Sequence, residues 1–186
     1  RACHDLARMQ KRGMPPVHVA VNMSFRQFQD SRLLSTVRRL LERTGIDPRW
    51  LEFELTETAV MQQPEQVLMT MDGMTGLGLR FSLDDFGTGF SSFVHLHSLP
   101  INLLKIDRSF VKAIAERSAD RQLVGAMIEM GHSLGLEVVA EGVEYRDQLE
   151  ILRSLGCDQV QGYFISPALA FEELCYFMDA YAMGRE

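Results

Sequence analysis

Six polar residues, each within or directly after a short apolar run, are the positions of this sequence that could carry chemistry. They are Asn22, Glu54, Asp84, Lys105, Glu141 and Gln161. Carboxylate and amide oxygens are the ligands that hard cations such as Mg²⁺ and Mn²⁺ prefer, whereas zinc favours nitrogen and sulfur. Carboxylates brought together without a cation would repel one another. The set therefore predicts a divalent metal site, with salt bridges and helix caps as the plainer alternative for any single acid.

The adjacent acids Asp84 and Asp85 are the densest local signal. Two neighbouring carboxylates suit two metal ions that share a ligand, the arrangement that activates water on a phosphodiester. Lys105, on the next predicted strand, could hold the attacking water or neutralise a phosphate. The segment after the pair, residues 86–92, contains two glycines and could move over the metals as a lid, although an ordinary tight turn would also explain the glycines.

The runs themselves are rich in Val, Ile, Leu and Phe, and each is too short for a helix, which is typical of a buried parallel strand. The predicted strands are residues 17–21, 51–55, 79–83, 103–106, 138–140 and 160–164. Helix-period segments lie between them. One ends at Gly45, the next starts at Pro64, and a third is capped by Asp120. Strands alternating with helices indicate a parallel α/β fold.

The polar strand ends favour a closed barrel over an open sheet. In an open sheet only the strands near the switch point place functional groups at their ends, whereas in a barrel all these ends surround one mouth. We therefore predict a (β/α)8 TIM-like barrel. Since a complete barrel has typically about 250 residues, a chain of 186 residues should hold about six of the eight βα units. Ala2, Leu6 and Met9 recur at helical spacing without a preceding cap, so we expect the chain to begin inside a helix.

The composition of the chain excludes several classes of binding partner. A formal net charge of −6 and the lack of a basic stretch argue against polymeric nucleic acid. No apolar run approaches the 18 or so residues needed to cross a bilayer, so no membrane contact is expected from this segment. The cysteines, Cys3, Cys157 and Cys175, show no ligand spacing and predict a reducing, cytoplasmic location.

The motifs resemble those of a known family. Val-Asn22-Met-Ser, Glu54-Leu-Thr-Glu57, Asp84-Asp-Phe-Gly-Thr-Gly89, Lys105-Ile-Asp107, Glu141-Gly-Val-Glu144 and Gln161-Gly-Tyr163 occur in the order and spacing of EAL domains, which are bacterial cyclic-di-GMP phosphodiesterases. The resemblance covers essentially the whole chain, residues 1–186. It implies a modified barrel whose first strand is antiparallel, and hydrolysis of cyclic-di-GMP to linear pGpG with Mg²⁺ or Mn²⁺.

The resemblance also implies roles for the acids. Asn22, Glu54 and Asp84 would bind one metal ion, and Asp84 and Asp85 would bind a second. Glu141 would act as the general base or bind a metal-held water. These assignments make the acidic strand ends the catalytic centre.

Further roles follow from the same resemblance. Lys105 would orient the nucleophilic water, and Glu57 would anchor the glycine-containing loop, a stretch that is also used in dimer contacts. Gln161 would line the site. Arg108 would contact a phosphate of the substrate or pair with Asp107.

One departure matters most, because no Glu-Ala-Leu motif occurs in the chain. We expect that motif, and the metal-ligand Glu within it, in the two missing upstream units, so the fragment alone should be inactive and poorly stable. The parent protein is expected to be a homodimer with fused sensory or GGDEF-type domains. Two alternatives stay open, namely a receptor that binds cyclic-di-GMP without cutting it, and an enolase-type proton-abstracting enzyme.

Overall fold

Six parallel strands form one sheet in a computed structural model that describes residues 1–88, 96 and 98–182. They are β1 (Val19–Asn22), β2 (Leu51–Thr56), β3 (Arg80–Phe86), β4 (Leu103–Ile106), β5 (Glu137–Glu141) and β6 (Gln159–Gln161). Each strand pairs with the next along the chain, and every pair is parallel. The sheet curls into half of a barrel wall, so the predicted α/β barrel fold is confirmed.

Helices separate the strands. Over the described residues they are α1 (Ala2–Lys11), α2 (Phe25–Phe28), α3 (Leu33–Thr44), α4 (Glu57–Gln62), α5 (Pro64–Thr75), α6 (Arg108–Val111), α7 (Ser118–Ser133), α8 (Arg146–Ser154) and α9 (Phe171–Ala182), with a 3₁₀ turn at Pro48–Trp50. None of these helices is long and apolar enough to cross a bilayer.

Local sequence sets most helix ends. α3 ends at Gly45, whose φ of 67° is the left-handed conformation that glycine adopts without strain. α5 begins at Pro64, where a missing backbone N–H costs nothing. The predicted cap at Asp120 is wrong, because α7 already starts at Ser118 and Asp120 lies in its first turn, where an acid favours the helix dipole.

Buried apolar side chains on both faces of the central strands hold the wall together. All four residues of β4 and the first five of β2 are buried, and apart from Glu52, Glu54 and Lys105 they are apolar. Burial on both faces is the pattern of a parallel sheet covered by helices. α7 packs on β5 at Gly131, where an added Cβ would lie 2.5 Å from Val138 Cγ2. This close approach brings the helix onto the sheet behind the strands that carry the site.

The last strand is shorter than predicted. We expected residues 160–164, but pairing ends at Gln161, after which the chain joins the loop that follows β5. Val143 N–H donates to Gln161 O, and Phe164 N–H donates to Val143 O. The two loops are thereby tied together at the carboxyl end of the sheet.

Candidate active site at the carboxyl ends of the strands

Three carboxylates from three strands surround one ammonium group. Lys105 Nζ lies 2.6 Å from Glu54 Oε1, 2.5 Å from Glu141 Oε1 and 3.4 Å from Asp84 Oδ1. Glu54 and Asp84 lie in the carboxyl-terminal halves of β2 and β3, Glu141 is the last residue of β5, and Lys105 is the third residue of β4. The parallel register brings these four positions together. We call these four residues the carboxyl-end cluster.

The carboxyl-end cluster is largely withdrawn from water. The Lys105 side chain is 5% exposed and that of Glu54 is 8% exposed. Burial opposes the charge on Lys105, but its hydrogen bonds to Glu141 and Glu54 outweigh burial and raise the pKa of the ammonium group. Burial raises the pKa of Glu141, and the charges of Asp84 and Glu54 act in the same direction against the opposing effect of Lys105.

The paired acids lie at an irregularity of β3. The register between β3 and β4 shifts between Leu83 and Phe86, and Asp85 has a φ of 55°. A left-handed residue other than glycine costs about 1–2 kcal/mol, and strained backbone of this kind clusters at functional sites. Burial raises the pKa of Asp85, and the charges of Asp84 and Asp107 raise it further. The backbone therefore holds consecutive carboxylates at one rim despite their repulsion.

Glu57 contacts the start of the glycine-containing loop. It is 3% exposed in the first turn of α4, and its Oε2 accepts a hydrogen bond of 3.2 Å from Gly87 N. Gly87 has a φ of 91° and lies where a Cβ would press on Met127 and Phe110, so glycine is required there. The rest of the predicted lid, residues 89–92, lies outside the described residues.

The remaining predicted residues stand at the edge of the cluster. Asn22 is exposed at the end of β1 and pairs in register with Glu54, while Gln161 is exposed and pairs with Glu141. Both belong to the same rim as the carboxyl-end cluster, one strand to either side of its outer members. Arg108 is exposed in the first turn of α6, with its Cα near the backbone of Gly142.

The pairing of Arg108 with Asp107 is not the main contact of that acid. Asp107 Oδ1 instead accepts from Ser109 N at 3.0 Å and caps α6. Although burial opposes it, this capping bond holds the pKa of Asp107 below its usual value, helped by the charge of Arg108. Arg108 is thus left to face solvent at the rim.

Sequence reasoning missed two buried polar side chains beside the strand ends. Ser82, two residues before Asp84, is fully buried and its Oγ has no hydrogen-bond partner within the described part of the chain. Gln148 is 3% exposed in α8 and bonds to four backbone groups. A polar residue inside an apolar run or stripe was the available signal in both cases.

The donor atoms of the rim fit a hard cation. The side chains offer carboxylate and amide oxygens. Asp84 Oδ1 is buried and has no hydrogen bond from any residue that the structure describes, although it lies 3.4 Å from Lys105 Nζ. Among the described residues no three Cys, His, Asp or Glu side chains form a metal site by themselves, and the Lys105 ammonium lies at the centre of the acids instead. The chemistry of the donors thus fits Mg²⁺ or Mn²⁺.

Acids at the carboxyl ends of successive parallel strands define the class of protein as an α/β barrel whose site lies at the mouth, as in barrel enzymes. The EAL domain family model matches residues 1–168. The chain therefore belongs to the EAL domain family.

Relatives of known sequence agree with this membership. Cyclic di-GMP phosphodiesterase NbdA of Pseudomonas aeruginosa is 40% identical over 181 residues, which cover 97% of this chain and 23% of that protein. The bifunctional diguanylate cyclase/cyclic di-GMP phosphodiesterase MucR of the same species is 37% identical, covering 93% and 25%. The chain thus spans about a quarter of the length of these curated relatives.

Solved structures share the fold closely. PaMucR phosphodiesterase in complex with c-di-GMP has a TM-score of 0.88 and 37% identity, with 93% of this chain and 70% of that chain covered. The EAL domain of Mycobacterium smegmatis DcpA has a TM-score of 0.89 and 31% identity, with 100% and 82% covered.

Proposed function

We propose that this chain forms most of the catalytic domain of a cyclic-di-GMP phosphodiesterase, which hydrolyses cyclic-di-GMP to linear pGpG with two divalent cations. The observation that carries the proposal is the convergence of Glu54, Asp84 and Glu141 on Lys105 at one rim. Relatives named as cyclic di-GMP phosphodiesterases, and the c-di-GMP complex of PaMucR, support the choice of substrate.

The oxygens of the rim would hold the metal ions. Asn22, Glu54 and Asp84 would supply ligands to one ion, and Asp84 with Asp85 would supply ligands to the other. The strongest support for this assignment is the buried oxygen of Asp84, which has no hydrogen-bond partner in the described part of the chain. When bound, Mg²⁺ or Mn²⁺ supplies Lewis acidity, which polarises the phosphodiester and lowers the pKa of water.

The side chains of the rim would position the reactants. Lys105 presents a buried positive charge that would hold the attacking water or a phosphate oxygen, and Glu141 would accept the proton of that water. The water oxygen bonds to phosphorus while the bond from phosphorus to the 3′ oxygen breaks, and a proton passes to the leaving 3′ oxygen. Glu57, through its bond to Gly87, would hold the start of the glycine-containing loop that follows β3.

The test is Asp84→Ala in the full-length protein that carries this chain, assayed for cyclic-di-GMP hydrolysis with Mg²⁺ or Mn²⁺. We expect a loss of roughly a thousandfold in kcat, since a preorganised electrostatic group is removed. Asp72→Ala, at an exposed acid of α5, is the matched control and should hydrolyse normally. Hydrolysis by Asp84→Ala near the wild-type rate would refute the proposal. Binding without turnover in the wild type would favour a receptor.

A further inference from the structure

Gln148 in α8 is a buried neutral amide, whereas most of the other buried polar side chains are charged. The buried polar residues of the described ranges are Glu52, Glu54, Glu57, Ser82, Lys105 and Gln148. Gln148 lies in the first turns of α8, outside the strands, and is 3% exposed. A buried amide is costly unless its donors and acceptor are satisfied, so its contacts identify what it holds.

The two ends of the Gln148 amide bond to different loops. Its Oε1 accepts hydrogen bonds from Glu144 N at 2.8 Å and from Tyr145 N at 3.1 Å. Its Nε2 donates to the carbonyl oxygens of Val111 and Lys112, both at 3.4 Å. One side chain therefore joins a segment that needs an acceptor to a segment that needs a donor.

The two joined segments follow the strands that carry the closest ion pair of the site. Glu144 and Tyr145 come three and four residues after Glu141, the last residue of β5. Val111 ends α6, which follows Lys105 and β4. The same loops also touch where the backbone of Gly142, at a φ of 70°, packs on Arg108. Gln148 supplies the polar link across this contact.

We propose that Gln148 is a positioning residue that holds Glu141 against Lys105 by locking the loops after β5 and β4 together. The inference rests on the proposed function, because Glu141 and Lys105 are the groups to which proton transfer and water positioning are assigned there. The separation of Glu141 Oε1 and Lys105 Nζ is 2.5 Å in this structure. A misplacement of about 1 Å in such a pair can cost about a hundredfold in rate.

The competing explanation is that Gln148 only stabilises the start of α8. Substitutions at Gln148 can distinguish the positioning role from this structural role, since each removes a defined subset of its four hydrogen bonds. Gln148→Met removes all four hydrogen bonds of the side chain but keeps a side chain of similar size. Gln148→Glu keeps an acceptor for Glu144 and Tyr145 but cannot donate to Val111 and Lys112.

The experiment compares these variants in the full-length protein, with Gln122→Met at an exposed position of α7 as the matched control. For Gln148→Met and Gln148→Glu we expect kcat for cyclic-di-GMP to fall about 10- to 100-fold, with KM changed less than about threefold. Hydrogen exchange at the amides of Glu144 and Tyr145 should quicken in Gln148→Met and stay slow in Gln148→Glu. The control should match the wild type.

The outcomes distinguish the inference from the function on which it rests. A wild type that does not hydrolyse cyclic-di-GMP removes the proposed function, and the positioning role falls with it. A hydrolysing wild type with unchanged kcat in Gln148→Glu overturns the positioning role alone. If Gln148→Met does not fold, Gln148→Glu decides the question. A fall in thermal stability with wild-type kcat would leave Gln148 as a structural residue only.

Discussion

Each end of this barrel wall carries a cluster of one basic and several acidic side chains, and the two clusters differ in net charge. At the carboxyl end, Lys105 is surrounded by three acids. At the amino end, Arg80 Nη2 lies 3.0 Å from Glu137 Oε1, and Arg80 Nε lies 3.9 Å from Glu52 Oε2. In both clusters one cation sits between acids of β2 and β5. One cation against three carboxylates gives a formal charge of −2, and one against two gives −1, so the carboxyl end has the greater need for a further cation.

Among the described residues, the buried atoms without a hydrogen bond also differ between the two ends, being acceptors at the carboxyl end and a donor at the amino end. Within residues 1–88, 96 and 98–182, one oxygen each of Asp84 and Glu57 at the carboxyl end is buried without a hydrogen bond, whereas at the amino end the N–H of Arg80 Nε is buried without one. Both oxygens of Glu137 are engaged, one by Arg80 and the other by Gln159 Nε2 at 2.8 Å. Acceptors left over at the carboxyl end suit a metal ion, whereas the oxygens of Glu137 at the amino end are already hydrogen-bonded.

Burial strengthens the contrast, since the Lys105 side chain is 5% exposed and that of Arg80 is 21% exposed. Charges interact more strongly where water is excluded. We therefore expect substitutions at the carboxyl end to have the larger effects.

The largest effect is expected for Lys105→Met, which would leave three carboxylates without their cation. Breaking a buried ion pair from one side costs about 3–5 kcal/mol. Urea unfolding should show this loss, and added Mg²⁺ should restore part of it by replacing the missing charge. Lys11→Met, at an exposed position of α1, serves as the control. A loss of unfolding free energy below about 1 kcal/mol would contradict the view that repulsion among the three carboxylates destabilises the carboxyl-end cluster when Lys105 is removed.

A smaller effect is expected for Arg80→Met at the amino end. Because Arg80 is partly exposed and faces only two acids, we expect a loss of about 1–2 kcal/mol in unfolding free energy. Hydrolysis of cyclic-di-GMP by the full-length protein should stay within about twofold of the wild type. A drop in kcat like that of Asp84→Ala would erase the functional distinction between the two ends.

The smallest effect is expected for Asp158→Asn beside the amino end. Asp158 Oδ2 accepts from His132 Nε2 and from Val138 N, both at 2.8 Å, and these bonds outweigh burial and lower the pKa of the acid. An acid whose pKa is lower in the folded than in the unfolded state stabilises the fold at pH values above its unfolded pKa, which is near 4 for Asp. This stabilisation is lost as the pH falls through the folded-state pKa. The variant should lose about 0.5 kcal/mol at pH 7, after solvent screening.

Urea unfolding of Asp158→Asn and the wild type from pH 7 down to pH 3 would check the sign. The difference in stability should shrink as the pH falls below about 4. A difference that grows on acidification would contradict the lowered pKa.

The sequence predicts the carboxyl-end residues well because each acid or amide interrupts or ends an apolar strand. Glu54, Asp84 and Glu141 could be placed at one rim from the alternation of strands and helices alone. It does not predict that Lys105 lies between them, since that depends on strand register and on the curl of the sheet. The left-handed backbone of Asp85 has only a weak signal in residue type, because Asp adopts that conformation more often than most residues but far less readily than glycine.

The amino-end cluster was not predicted for a related reason. Glu52, Arg80 and Glu137 lie at or near the starts of strands, where charged residues are common and solvent exposure is the usual expectation. Only the three-dimensional pairing shows Glu52 to be 5% exposed and in contact with Arg80. Polar contacts between distant strands are decided by tertiary packing, which sequence periodicity does not encode.

The most direct test of the excess negative charge at the carboxyl end is to measure the free energy of unfolding as Mn²⁺ is added. The full-length wild type should gain about 2.7 kcal/mol at a metal concentration a hundredfold above Kd. Glu137→Gln, which removes an acid at the other end, should gain as much, and Asp84→Asn should gain almost nothing. Equal stabilisation of Asp84→Asn and the wild type would contradict the assignment of the metal site to this rim.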